Sequence, residues 1–300
     1  ESTIKTFSFT IRPPYWKRWW FYLACVGSLF SLFWIFIRYR DKQVRRREKI
    51  LEGKVEVRTE QLVTEQAKTE ELLLNILPLE TAEELKKYGK AKARHYDFAS
   101  VLFTDFKGFT QLAERLTSTD LVKEIDYCFS HFDDIIEKYQ VEKIKTIGDA
   151  YMCAAGIPKE NSNNPILLAL AAMEIIQFMN SHKIENKEKN LPYFELRLGI
   201  HTGPLVTGVV GKKKFAYDIW GDTVNTAARL ESSGEAGMLN VSENTYNVIK
   251  NYFDCEFRGK IEAKNKGKIA MYFVKRIKED YSEDSEGFIP KQILLDKMRI

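Results

Sequence analysis

The sequence is poor in the residues that cross-link or metallate small domains. Its 300 residues hold four cysteines, Cys25, Cys128, Cys153 and Cys255, far apart and with no C-x-x-C pair. No Cys/His spacing of a zinc site appears, so the thiols read as reduced residues of a cytosolic domain, not a disulfide framework. Histidine is as scarce: there are four, none in an H-E-x-x-H or similar arrangement. Internal repeats and low-complexity tracts are absent, which excludes solenoid and disordered classes. Net charge is only +4. Seven basic residues (Arg38, Arg40, Lys42, Arg45, Arg46, Arg47, Lys49) stand against Asp41 and Glu48 within 38–49, a local net of +5. The remainder is therefore near neutral, and no nucleic-acid footprint is left.

What the chain does have is one long apolar run. Trp19 to Ile37 carries no charged residue in 19 positions, enough to cross the hydrocarbon as a helix of roughly 20 residues. Trp16, Trp19 and Trp20 mark one interface, and Trp34 and Tyr39 the other. A cleaved signal peptide is disfavoured, because strong positive charge follows and no small-residue cleavage site does. The basic cluster directly after the run places the C-terminal side in the cytoplasm and could hold anionic lipid. The expectation is a single-pass protein of the cell (inner) membrane with its N-terminal side extracytoplasmic.

The chain begins at Glu1, not Met, and reads as a segment of a longer protein. Ile4 to Thr10 alternates apolar and polar and stops at Pro13-Pro14, as the last strand of an extracytoplasmic domain would. The run Phe9 to Tyr22 resembles the end of the small β-sandwich that precedes the membrane span in large propeller-containing bacterial sensors. From Asp41 to Leu77 the chain is rich in Glu, Lys, Arg, Gln and Leu. One heptad register puts Val44, Leu51, Arg58, Glu65 and Leu72 at d and Glu48, Val55, Leu62, Thr69 and Ile76 at a. Six of those ten are apolar, which predicts a marginal parallel coiled coil, weakened further at Gly53. Two packings of similar energy would suit a signal-carrying joint. The expected organisation is an extracytoplasmic β end (1–16), a transmembrane helix (17–38), a coiled coil (39–77), a transducer linker (78–96), a catalytic domain (97–276) and a charged tail (277–300).

Within 97–276 the predicted order is strand 99–105, helix 118–139, hairpin 141–155, helix 164–183, strand 194–202, strand 205–211, strand 215–220 and helix 222–232. This gives an α+β fold of ferredoxin-like order. One sheet face is covered by helices, and the open face needs a cover, for which a second copy is the obvious candidate. Asp105 ends an apolar strand and precedes Phe106-Lys-Gly-Phe-Thr110, a turn whose amides could cradle phosphate. Asp149 sits at the hairpin turn beside Gly148, and Lys145 lies four residues earlier, at a different place on the hairpin. The topology sets the first strand beside the hairpin, so the two carboxylates converge. Such an oxygen-only pair suits Mg²⁺ and an in-line displacement at phosphorus.

Four stretches are identifiable: Val101–Thr110, Lys143–Met152, Arg197–Gly211 and Tyr217–Arg229. Together they resemble the catalytic domain of the class III nucleotidyl cyclases, in consistent order over about residues 95–275. The resemblance implies a homodimer with two active sites at its interface. Asp105 and Asp149 of one subunit would bind two Mg²⁺ or Mn²⁺, helped by the Phe106 carbonyl, with Gly108, Phe109 and Thr110 at the phosphates. Lys145, Asp218, Asn225, Arg229 and Lys264 would come from the other subunit. Asn225 would orient the ribose, Arg229 would clamp the α-phosphoryl group, and Lys264 (or its neighbour Lys266) would contact the terminal phosphates. Lys145 donates and Asp218 accepts, which matches the acceptor N1 and donor amino group of adenine; guanine needs the reverse. The reading is therefore an adenylate cyclase forming cyclic AMP and pyrophosphate from ATP. The alternatives are a guanylate cyclase, which the Lys/Asp pair opposes, and a non-catalytic dimerising module, which would be expected to have lost some of these residues. A histidine kinase is disfavoured because no pairing His or Gly-rich ATP lid is present.

Overall fold

The computed structural model describes residues 14–299 apart from Arg115, Lys212 and 264–266. The expected strand before Pro13 lies outside the described residues. The chain divides into two units, 1–72 and 73–300.

The first unit is dominated by α1 (Trp19–Leu74), an unbroken helix of 56 residues. Its best 18-residue window has a mean hydropathy of 1.9, and none of that window is buried. Gly53 does not interrupt it. The heptad residues Val44, Leu51, Val55, Leu62 and Leu72 are all exposed, so none of the described residues covers the proposed seam. The helix ends before the expected 77, and Ile76, assigned to an a position, falls beyond it. Pro78 disfavours helical backbone at the residue before it, and Leu77 turns instead into a small apolar cluster with Ala82 and Tyr217, only 2% exposed.

The second unit opens with α2 (Leu79–Tyr88), which Pro78 precedes at the N-cap. Arg94 ties it to the next strand through Glu80 and, at 2.8 Å, Glu84. The core follows as β1 (Arg94–Lys107), α3 (Phe109–Ala113), α4 (Ser118–Lys138), β2 (Glu142–Ile147), β3 (Ala150–Ala155), α5 (Asn164–Glu188) and β4 (Glu195–Val210). Then come β5 (Ala216–Trp220), α6 (Asp222–Ser232), β6 (Leu239–Ser242), α7 (Glu243–Ile249), β7 (Phe253–Ala263), β8 (Gly267–Ile277) and α8 (Gln292–Met298). The sheet runs β2-β3-β1-β4-β6-β8-β7, with β5 also on β4. The first four strands give the 4-1-3-2 order of a ferredoxin-like core. Pairing is antiparallel except between β4 and β6.

Strand alternation makes two cores. Leu102, Phe106, Tyr151, Cys153, Leu196, Leu198 and Ile200 face the helical layer of α4, α5 and α7. Val101, Met152 and Ala154 face the other way, with Leu205, Ile219 and Ala227. That second face is not open as expected: α6 lies across β4 and β1. Gly199 allows this, since a Cβ there would meet the Glu231 backbone nitrogen at 2.1 Å.

Two further expectations change. The two strands 194–202 and 205–211 are one strand, β4. Pro204 is tolerated inside it because it sits opposite the register shift between Tyr96 and Ala99, where the ladder is already interrupted. The second long helix runs on to Glu188. The charged tail after 276 is ordered: Ser282 bridges to Pro290, and α8 buries Leu294 and Met298 in the main core. Charge at Glu279, Asp280, Glu283 and Glu286 masked an apolar i, i+4 pair one turn long.

Gly199→Ala is expected to cost about 1–3 kcal/mol by overpacking, and Leu294→Ala about 2–5 kcal/mol by leaving a cavity. Both are read from denaturant midpoints of the solubilised chain. An unchanged midpoint for Leu294→Ala would mean the C-terminal segment is not docked.

Candidate active site

The hairpin between β2 and β3 turns at Gly148, whose φ of +63° suits glycine. This presents Asp149 at the turn. Because β3 pairs with β1, the turn falls beside Asp105, close enough for the two carboxyls to interact. Burial holds Asp149 above the usual carboxylate range; its own backbone N–H opposes this, and the Asp105 charge reinforces it.

Asp105 is paired across the ladder with Arg197 on β4, and the Arg197 guanidinium donates to its carboxylate. The Nε of the same guanidinium lies 3.0 Å from Glu231 Oε1 on α6. Neither atom has a hydrogen-bond partner among the described residues, so this is a charge contact and not a well-formed hydrogen bond. Burial pushes Glu231 up to about 7, with Arg197 opposing and Asp105 and Asp149 assisting. Arg197 and Glu231 carried no assigned role in the sequence reading. The signal was a lone Arg opening an apolar strand, but the register that sets it opposite Asp105 is a property of the folded sheet.

Lys145 leaves the hairpin for a different partner. Its Nζ is 2.5 Å from Asp218 Oδ2 on β5, while Asp218 Oδ1 accepts from the Ile219 backbone N–H at 2.9 Å. One hairpin thus touches two separate polar groups. Asn225 and Arg229 stand one turn apart on α6; Asn225 is exposed and Arg229 partly so. The Asn225 amide reaches Gly221 O at 3.5 Å. Phe106 places its ring in the core, stacked on Phe194 with centroids 4.6 Å apart. Gly108 (φ +72°) is the N-cap of α3, and its carbonyl accepts from Gln111 and Leu112 at 3.1 and 3.2 Å. That geometry leaves the Phe109 and Thr110 amides at the first turn, where a helix has no internal acceptor for them; Phe109 itself stacks on Phe194 at 5.7 Å. Lys264 lies outside the described residues.

Residues 91–276 match the family model for the adenylate and guanylate cyclase catalytic domain. The chain belongs to the class III nucleotidyl cyclases. Among its relatives, atrial natriuretic peptide receptor 2 of Homo sapiens is 38% identical over 227 residues, 75% of this chain and 22% of the receptor. An adenylate cyclase of Mycobacterium bovis is 38% identical over 211 residues, 70% of this chain and 47% of that protein. The chain thus spans between about a fifth and a half of the length of these curated relatives. The crystal structure of the adenylyl cyclase CyaB from P. aeruginosa superposes with a TM-score of 0.60 at 27% identity, covering 63% of this chain and 98% of that one. The mixed α/β fold is that of the cyclase catalytic domain, and the chemistry of the class is that of a lyase.

Cyclases of this class use divalent metal ions, and the donor set fits them. Asp105 and Asp149 offer only oxygen, the chemistry that Mg²⁺ and Mn²⁺ select. Three carboxylates, Asp105, Asp149 and Glu231, interact with the single Arg197 guanidinium, and the negative charge left over favours a cation.

Two outcomes follow for the cyclase domain. Arg197→Gln is expected to cost about 1–3 kcal/mol, because it strands partly buried carboxylates, measured by urea denaturation. Between pH 4.5 and about 7 the folded chain holds the Glu231 proton that the unfolded chain releases, so stability from this residue falls as pH rises through that window. Glu231→Gln is expected to flatten that fall in Tm measured in chelator; an unaltered slope would place the titration elsewhere.

Proposed function

We propose that this chain is a membrane-anchored adenylate cyclase that converts ATP to 3′,5′-cyclic AMP and pyrophosphate. The reading of the base rests on one observation. Lys145, a donor, and Asp218, an acceptor, stand 2.5 Å apart and partly exposed. Adenine offers an acceptor at N1 and a donor at its amino group, which this pair complements; guanine offers the opposite polarity and would meet like with like. The family description covers adenylate and guanylate cyclases alike, so the pair carries the choice between them.

In the reaction the ribose 3′-oxygen attacks the α-phosphorus. The bond from that phosphorus to the bridging oxygen breaks, and pyrophosphate leaves. Asp105 and Asp149, with the Phe106 backbone carbonyl, would hold two Mg²⁺ or Mn²⁺. When bound, those ions supply Lewis-acid stabilisation of the phosphoryl oxygens and lower the pKa of the attacking hydroxyl. Arg197 orients Asp105 from the opposite strand. The amides of Gly108, Phe109 and Thr110 offer donors to phosphate oxygens. Arg229 would neutralise charge growing on the α-phosphoryl group, Asn225 would orient the ribose, and Lys264 would meet the terminal phosphates.

These residues would meet in a head-to-tail homodimer, with Asp105 and Asp149 from one copy and Lys145, Asp218, Asn225, Arg229 and Lys264 from the other. Ile147, Val210 and Trp220, each more than 40% exposed, are apolar groups near these residues that a second copy would cover. In this reading Trp19–Ile37 crosses the membrane, the catalytic domain is cytoplasmic, the following heptads form a parallel coiled coil, and an extracytoplasmic sensor domain precedes residue 16.

The test is product formation from ATP and from GTP, with Mg²⁺ and with Mn²⁺, by the detergent-solubilised chain. Cyclic AMP that is lost in Asp149→Ala is expected. Lys145→Glu combined with Asp218→Ser should lower turnover of ATP by at least about 100-fold relative to GTP. Cyclic GMP from the unmodified chain would overturn the base assignment, and no product from a verified dimer would favour a non-catalytic module.

A further inference from the structure

The helical layer holds a cluster that the reaction does not use. Glu124 and Cys128 lie one turn apart on α4, on one face. His182, from α5, meets them across the helix pair. One ligand atom from each of the three lies within 4.8 Å of the others. Tetrahedral ligands at about 2.0–2.3 Å from a zinc ion stand about 3.3–3.8 Å apart, so small side-chain rotations that draw in the wider separations and open the 2.5 Å Glu124–His182 contact would form the set.

The histidine is poorly served as it stands. His182 is only 8% exposed. Its Nε2 lies 2.5 Å from Glu124 Oε1 and 3.1 Å from the Asn186 amide nitrogen. Its Nδ1 is buried and has no hydrogen-bond partner among the described residues. With hydrogen on Nε2, Nδ1 is a buried acceptor without a donor. With hydrogen on Nδ1, that N–H lacks an acceptor, and the Nε2 lone pair faces a carboxylate oxygen. Either tautomer leaves a penalty of the order of 1–3 kcal/mol for a buried unpaired polar atom. Cys128 is fully buried beside the same carboxylate.

We propose that Glu124, Cys128 and His182 form a second metal site, distinct from the Asp105–Asp149 pair, that takes Zn²⁺ and pins α4 to α5. A thiolate and an imidazole beside one carboxylate select a borderline-soft ion, whereas the active-site acids select a hard one. The ligands stand 58 residues apart in sequence across the Glu124–His182 contact, so no spacing motif announces them. The site has a route to the catalytic face: Asn186, beside His182, donates to the Pro192 carbonyl at 3.1 Å, and two residues on Phe194 stacks on Phe106 and Phe109.

The experiment is a Co²⁺ titration of the chelator-stripped, detergent-solubilised chain, followed by displacement with Zn²⁺. One equivalent of Co²⁺ should bind with a sulfur-to-cobalt charge-transfer band, and one equivalent of Zn²⁺ should abolish the band. The band should vanish in Cys128→Ser and in His182→Ala but persist in Asp149→Asn. X-ray absorption of the zinc-loaded wild-type chain should show one sulfur at about 2.3 Å among nitrogen and oxygen neighbours, which tests the site even if a variant fails to fold. The absence of a thiolate band and of a sulfur neighbour in the wild-type chain, or a band that survives in both folded variants, would overturn the proposal.

Discussion

The candidate site depends on how closely α6 can approach β4. At Gly199 the helix backbone occupies the space of a missing side chain, with the Glu231 nitrogen 2.1 Å from where a Cβ would stand. That contact fixes the height of Glu231 above the sheet. Two residues earlier on the strand, Arg197 then reaches Glu231 on one side and Asp105 on the other. Asn225 and Arg229 are carried on the same helix, so one close backbone contact sets the height of the acids' counter-charge and of the groups assigned to ribose and phosphate. A bulkier residue at 199 would lift all of them together.

The hairpin supplies the second constraint. Its turn sends Asp149 toward Asp105, while Lys145, on the preceding strand, meets Asp218 from β5. A two-stranded element thereby divides the groups proposed for metal binding and for base reading between two locations on one chain. Neither location holds the full set the reaction needs, which is the physical reason for expecting a second copy to complete each. The C-terminal segment works in the opposite direction: Leu294 and Met298 close the apolar layer behind the sheet.

Much of this was legible in the sequence because the relevant signals are local. The Gly148-Asp149 turn, the apolar strand ending at Asp105 and the Asn225/Arg229 helix face each declare themselves within a few residues, and the ferredoxin-like order follows from their succession. What escaped notice depends on contacts distant in sequence. Arg197 acquires a role only through its register against Asp105. Glu231 does so through the approach of α6, and Leu294 through a surface made by other helices. Pro204 misled for the converse reason, since a residue that usually ends a strand is harmless where the neighbouring ladder is already broken. The long N-terminal helix was legible as an apolar span followed by heptads, but its end three residues early is decided by the cluster that receives Leu77.

The self-pairing of Lys145 and Asp218 bears on fidelity. In the proposed reading a nucleobase competes with the ion pair for the donor and the acceptor that face each other in it, so the pair is a built-in competitor of every base. A base of the wrong polarity need not strand a lysine and an aspartate in a dry cleft, because the two can remain joined and turn the intruder away at little cost to themselves. Error rejection in such a site is bounded by what the right base gains over the ion pair, and not by the much larger penalty of two orphaned charges.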